Sequence, residues 1–93
     1  MDYQRLLFRV HAIQRMFERN IAHDNVVQIV RTGEVIEEYS EDKPFPSFLL
    51  LGWVNERPLH VVAAKAEDGT LFVITVYEPD PEQWDDHYRK RKF

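Results

Sequence analysis

The sequence predicts an α+β fold in which two N-terminal helices pack on one face of a four-stranded antiparallel sheet, in the order ααββββ. Three observations predict it. Residues 6–32 carry apolar side chains at helical spacing, broken once near Asn20 and ended by Gly33. Residues 34–78 carry apolar, β-branched runs instead. Short turn signals join those runs, so sequence neighbours become antiparallel neighbours with one face left for the helices.

Leu6 to Arg19 reads as the first helix. Val10, Ala12, Ile13, Met16 and Phe17 fall on one side, and His11, Arg15 and Arg19 follow one another at i, i+4 and i+8 on the other. Asn20 tolerates the left-handed conformation that ends a helix. Asp24 is the expected N-cap of a second helix over 24–32, with Val26, Val27, Ile29 and Val30 inward and Gly33 as its C′ residue. Residues 34–39 form a short strand, and Ser40–Pro46 is a loop because Pro44 and Pro46 interrupt regular structure. Residues 47–54 form a strand apolar on both faces, which requires a second cover from either the C-terminal segment or a partner. Asn55-Glu56 is a turn into the 57–66 strand. Residues 78–84 break the sheet, and a short helical turn over 81–88 is expected, anchored by Trp84 and followed by a basic tail.

The hairpin of residues 57–79 organises the rest. Asp68-Gly69 between two apolar runs is a strong hairpin signal, because Gly accepts the positive φ that a type I′ turn needs. A two-residue loop puts Glu67 opposite Thr70. It then pairs Val61 with Val76, Ala63 with Ile74 and Lys65 with Phe72 on the core face. His60 with Tyr77, Val62 with Thr75 and Ala64 with Val73 fall on the other face. A bulge would flip one strand and break that second set.

The chain has 93 residues, enough for one domain spanning 1–93. At 44% hydrophobic and 13% aromatic it is globular rather than disordered. It has no cysteine, and so neither disulfides nor thiolate metal sites. No segment has the length and apolarity of a membrane span, and the expected compartment is the cytoplasm. Net charge is −4, unevenly spread. Residues 1–31 hold five arginines against three acids, residues 32–86 are strongly acidic, and residues 87–93 add four positive charges. A basic tail on an acidic body, with Arg89 and Arg91 in it, fits RNA or an acidic partner, and equally a merely solvated end.

His11, His23, His60 and His87 show no metal-ligand spacing, and no phosphate loop or nucleophile elbow is present. No cofactor is expected. The remaining inventory of His, Arg, Lys and Tyr suits metal-free RNA cleavage, in which the substrate's own 2′-OH attacks the adjacent phosphate. The protein then supplies only a base, an acid and cations. His60 is the candidate acid or base, Tyr77 an orienting or donating group, and Arg57 a phosphate ligand. Each has an ordinary structural reading too. His60 and Tyr77 also fit a buried hydrogen-bonded pair, Arg57 fits an ion pair with Glu78 or Glu56, and Arg15 fits one with Glu18. The row of His11, Arg15 and Arg19 fits a phosphate backbone or a solvated helix face.

Three stretches carry a family resemblance: His11-Ala-Ile-Gln-Arg-Met-Phe-Glu-Arg19, Gly52-Trp-Val-Asn-Glu-Arg-Pro-Leu-His-Val-Val62 and Ile74-Thr-Val-Tyr-Glu-Pro79. Together they resemble a bacterial family of small uncharacterised domains with the pattern HAxxRMxxR, GWxxxRPLHVV and ITVYEP. That resemblance implies a toxin-like member of a type II toxin–antitoxin pair, with a small zinc-finger protein as antitoxin, as in the MqsR/MqsA system. The strand from Arg57 also resembles the BrnT and RelE groups, which implies two helices on an antiparallel sheet and mRNA endoribonuclease activity. By motif position, His11, Arg15 and Arg19 match the first stretch, Arg57 and His60 the second, and Tyr77 and Glu78 the third. The expectation is therefore a metal-free endoribonuclease toxin. The rival readings are a non-enzymatic binding module and a homodimer, each using the apolar sheet face.

Overall fold

The computed structural model describes residues 1–93 and contains one more strand than the sequence predicts. The elements are β1 (Arg5–Phe8), α1 (Val10–Glu18), α2 (His23–Thr32), β2 (Glu34–Tyr39), β3 (Ser47–Val54), β4 (Arg57–Lys65) and β5 (Thr70–Tyr77). The sheet order is β1-β5-β4-β3-β2. β1 lies parallel to β5, with Leu6 opposite Leu71 and Phe8 opposite Val73, and the remaining pairs are antiparallel. The expected four-stranded antiparallel sheet is therefore corrected to a five-stranded mixed one.

The physical reason is legible afterwards. Leu6, Leu7 and Phe8 extend the apolar spacing of the first helix, so the segment reads as its opening turn. The strand has only four residues, and its partner lies 65 positions away, so no hairpin signal announces it. Arg9 is extended (φ −67°, ψ 150°) and starts α1, which therefore begins at Val10 rather than Leu6.

Within α1 only Ala12 and Met16 are buried. Val10, Ile13 and Phe17, expected inward, stay 70, 53 and 89% exposed. A short helix with one narrow buried stripe cannot turn five apolar positions toward the sheet. Asn20 ends the helix at φ 56°, as expected. α2 starts one residue before Asp24, and Ala22 rather than Asp24 is its N-cap. Gly33 is not left-handed (φ −69°). Its missing side chain serves a close approach instead, since a Cβ there would sit 2.5 Å from the Ile29 carbonyl oxygen and 2.9 Å from that of Leu51.

The helix side of the sheet holds the core: Leu50, Leu59, Val61, Ala63, Leu71, Val73 and Val76 against Ala12, Met16, Ile21, Val26, Ile29 and Val30. The opposite face is covered by the chain's own C-terminal segment, from Pro79 onward. Trp84 is 2% exposed, and Leu49 and Leu51 on the doubly apolar β3 are 1 and 3% exposed. Trp84 is thus the anchor; the segment has no full helix and is built of turns, one of them a single helical turn closed by the Trp84 N–H donating to the Asp80 carbonyl at 3.1 Å, with an isolated bridge between Trp84 and Arg91.

The β4–β5 hairpin departs from the expected register in two places that compensate. Its loop has three residues, Glu67-Asp68-Gly69, closed by the Ala66 N–H donating to the Thr70 carbonyl at 2.9 Å, with Gly69 at φ 89°. Lys65 therefore faces Leu71, Ala64 faces Phe72, and Ala63 faces Val73, each one position from expectation. A bulge at Ile74 then restores the count, so Val62 faces Thr75, Val61 faces Val76 and His60 faces Tyr77 as expected. Val73 accordingly joins the core, and Phe72 goes to the other face, stacked on Phe45 at 6.0 Å.

Gly52 fixes how closely α2 sits on β3. A Cβ at Gly52 would lie 2.4 Å from Ile29 Cγ1. Gly52→Ala is expected to destabilise the fold by about 1–3 kcal/mol in urea unfolding, and pairing it with Ile29→Ala, which removes both γ carbons, should cost less than the sum of the two single losses. An unchanged midpoint in Gly52→Ala would show that α2 is free to move outward.

Candidate functional site at one end of the sheet

Strand parity decides which candidate residues meet. His60 and Tyr77 lie on the C-terminal-segment side, whereas Arg57, an odd number of positions from His60, lies on the helix side. The sheet itself separates them.

His60 is fully buried. Its Nε2 lies 2.8 Å from the Tyr88 carbonyl oxygen and its Nδ1 lies 3.2 Å from the Tyr77 hydroxyl. A carbonyl only accepts, so Nε2 carries the proton and Nδ1 accepts from Tyr77. The imidazole also meets the Trp84 ring edge-on at 4.4 Å and the Tyr77 ring at 5.2 Å. Burial lowers the His60 pKa from its ordinary 6.5 and raises that of Tyr77 above 10. The pair the sequence grouping anticipates is present, closed over by Trp84.

The exposed candidates gather on the helix side, where β4 begins and β5 ends. Arg57 Nε donates to Glu78 Oε1 at 2.5 Å, and its Nη2 donates to the Arg19 carbonyl at 2.9 Å. Arg19 Nη1 donates to the Val76 carbonyl at 3.2 Å. Two guanidiniums and one carboxylate thus share a corner formed by the end of α1 and the ends of β4 and β5. Arg15 pairs with Glu18 at 2.9 Å, and His11 is exposed further along the same helix. Of the tail residues, Arg89 Nε donates to both oxygens of Glu34 at 2.9 Å. That hydrogen bond holds the Glu34 carboxyl below its ordinary 4.5. The Arg91 guanidinium stacks on Trp84 at 4.7 Å. The tail is therefore tied to the body rather than solvated throughout. No three His, Asp or Glu side chains converge to hold a metal ion.

A cleft of about 300 Å³ opens at the same end of the sheet, between α2 and the start of β2, and includes Glu34, Trp53 and Arg89. The sequence expectations give Trp53 a place in the apolar 47–54 strand and in a motif, give Glu34 a place in the 34–39 strand, and assign neither to a site. The usable signal was Trp53 itself, an aromatic set where a strand runs out.

The family described as "Domain of unknown function (DUF4258)" matches residues 8–78. The chain belongs to that family. No curated protein and no solved structure matches the chain. The DUF4258 match covers the first two motif stretches and the third as far as Glu78, whereas β1 before Phe8 and the C-terminal segment that closes over His60 lie outside it. No helix is long and apolar enough to cross a membrane.

The buried His60 makes stability pH-dependent. Its pKa is lower in the folded chain than the unfolded value of 6.5, so the unfolded chain takes up the proton first. This contribution is complete above pH 6.5 and is lost as the pH falls below it toward the folded value. The urea midpoint should therefore drop between about pH 7 and about pH 5.5, above the range where carboxylates titrate, and His60→Gln should flatten that slope. A flat native profile across this window would contradict a neutral, buried His60.

Proposed function

We propose that this chain is the toxin member of a type II toxin–antitoxin pair, a small metal-free endoribonuclease acting on mRNA and neutralised by a cognate zinc-finger-type antitoxin. The observation that carries the reading is the exposed corner of Arg19, Arg57 and Glu78, with the His11–Arg15 row leading along α1 toward it. In this reading a backbone phosphate takes the place of Glu78 on the fork of Arg57. The released carboxylate accepts the proton of the substrate 2′-OH, and the 2′ oxygen attacks the adjacent phosphorus. The bond to the 5′ oxygen breaks, and that oxygen takes a proton from solvent, leaving a cyclic 2′,3′-phosphate and a 5′-hydroxyl. Arg57 and Arg19 offset the charge that grows on the non-bridging oxygens. His60 and Tyr77 have suitable chemistry, but under Trp84 they serve to hold the C-terminal segment, and the base role passes to Glu78.

Arg57→Ala is expected to lower single-turnover mRNA cleavage by about a hundredfold or more, with Arg57→Lys intermediate, and to relieve growth arrest on induced expression. Glu78→Gln should lower cleavage with the RNA still bound. Native cleavage rates in both variants would overturn these roles.

A second reading, a non-enzymatic protein-binding module, draws on a different surface. The apolar sheet face expected to dock a partner is occupied by the C-terminal segment, whereas Val10, Ile13 and Phe17 present an apolar stripe on α1. Because Phe17 is 89% exposed, Phe17→Ser should change stability by less than about 0.5 kcal/mol. Copurification of the antitoxin with native chain but not with Phe17→Ser, in a protein that cleaves no RNA, would favour this second reading.

A further inference from the structure

We propose that the cleft between α2 and the start of β2 is a nucleobase subsite for single-stranded RNA, with Trp53 as the stacking platform and Glu34 and Arg89 as the polar contacts. The choice of RNA as ligand rests on the endoribonuclease reading above; the site itself rests on three independent observations.

The first is the exposure of Trp53. On the same face of β3, Leu49 and Leu51 are almost completely buried, yet the indole of Trp53 is 52% exposed. The Tyr88 ring meets it at 71° and 5.8 Å, which props the indole while leaving half of its surface in water. Every base has a π-face, and stacking on an exposed indole is the common device for holding unpaired nucleotides.

The second is a free strand edge. β2 begins with Glu34 opposite Leu51, so Gly52, Trp53 and Val54 have no strand beside them on that side. Backbone groups alternate along a strand, so the N–H and C=O of Trp53 face this open edge and can meet the edge of a base lying on the indole.

The third is the polar wall. Arg89 uses Nε for both oxygens of Glu34. The two terminal guanidinium nitrogens of Arg89 remain for a phosphate, and the carboxylate keeps lone pairs for N–H donors. A carboxylate accepts only, so the site favours bases carrying an exocyclic amine over uracil. β2 starts and β3 ends at the same end of the sheet as Arg57, with Trp53 on the opposite face, so a strand whose phosphate meets Arg57 reaches the indole by crossing the Asn55-Glu56 turn.

The test uses the full chain and short 2′-O-methyl oligoribonucleotides of A, C or U, which bind without being cleaved. Trp84 is buried, so quenching by an added oligonucleotide reports chiefly on Trp53. Oligonucleotides of A and C should quench it. Trp53→Ala should weaken binding in fluorescence anisotropy by about five- to a hundredfold, while Trp53→Phe keeps most of it. Glu34→Gln should narrow the gap between the A or C oligomers and U. Unchanged thermal midpoints in the Trp53 variants establish that folding is not the cause. Oligonucleotides that bind Trp53→Ala as tightly as the native chain, without quenching, overturn the subsite and leave the endoribonuclease reading standing. Quenching that depends on Trp53 in a protein that leaves natural mRNA intact supports the subsite and sinks the endoribonuclease. Absence of binding by every oligonucleotide, together with intact mRNA, overturns both.

Discussion

β3 and β4 are apolar on both faces, and this single constraint shapes the molecule. The helices cover one side. The other is covered by the last fifteen residues, with Phe45 of the 40–46 loop over Phe72, and these contain too few apolar side chains to make a second helix layer. The cover is therefore a set of turns whose backbone groups need partners. His60 meets that need: its ring reaches the Tyr88 carbonyl on one side and the Tyr77 hydroxyl on the other, beneath Trp84. A leucine at this position would fill the space and leave a buried carbonyl unsatisfied. Histidine is one of the few side chains that is flat enough to lie under an indole and that also carries a donor and an acceptor at opposite ends of its ring.

The sequence shows the antiparallel core of this fold because its signals are local. Turn residues, period-two runs and left-handed asparagines act over a few positions, and β2 to β5 fall where those signals put them. β1 depends on a pairing across most of the chain, and its three apolar residues suit a helix as well as a strand. The hairpin register is a more instructive case. Asp68-Gly69 announces a turn but not its length, and Ile74 looks like any other strand residue, so neither the third loop residue nor the bulge is visible. Each displaces the register by one position in opposite senses. The pairing near the loop therefore differs from the simple expectation, while His60 and Tyr77, beyond the bulge, still meet.

The candidate site was legible by residue type and much less by grouping. Arg57, His60 and Tyr77 are close in sequence or in register, which invites a single site. The pleat of the sheet places Arg57 with Arg19 and Glu78 on one face and the His60–Tyr77 pair on the other. The C-terminal arginines illustrate the same limit. A run of basic residues reads as solvated or as an RNA contact, yet Arg89 and Arg91 each have a specific partner, Glu34 and Trp84, contributed from far along the chain.

The accessible functional groups and the backbone strain of this chain sit at one end of the sheet. Four non-glycine residues have positive φ: Asn20, Asn55, Glu56 and Tyr88. Asn20 follows the arginine whose carbonyl receives Arg57. Asn55 and Glu56 form the tight turn between Trp53 and Arg57. Tyr88 carries both the ring against Trp53 and the carbonyl held by His60. Asparagine bears such a conformation at low cost, but Glu56 and Tyr88 do so at about 1 kcal/mol or more each, and only when their surroundings over-determine them. At the opposite end the hairpin meets the same geometric demand with Gly69, which carries no such cost. A chain selected for stability alone would favour glycine at both ends. Glutamate and tyrosine at the strained positions fix the turn and the tail in the conformation that sets Trp53 on one face and Arg57 on the other at this end of the sheet, and the strain is retained where the accessible groups gather.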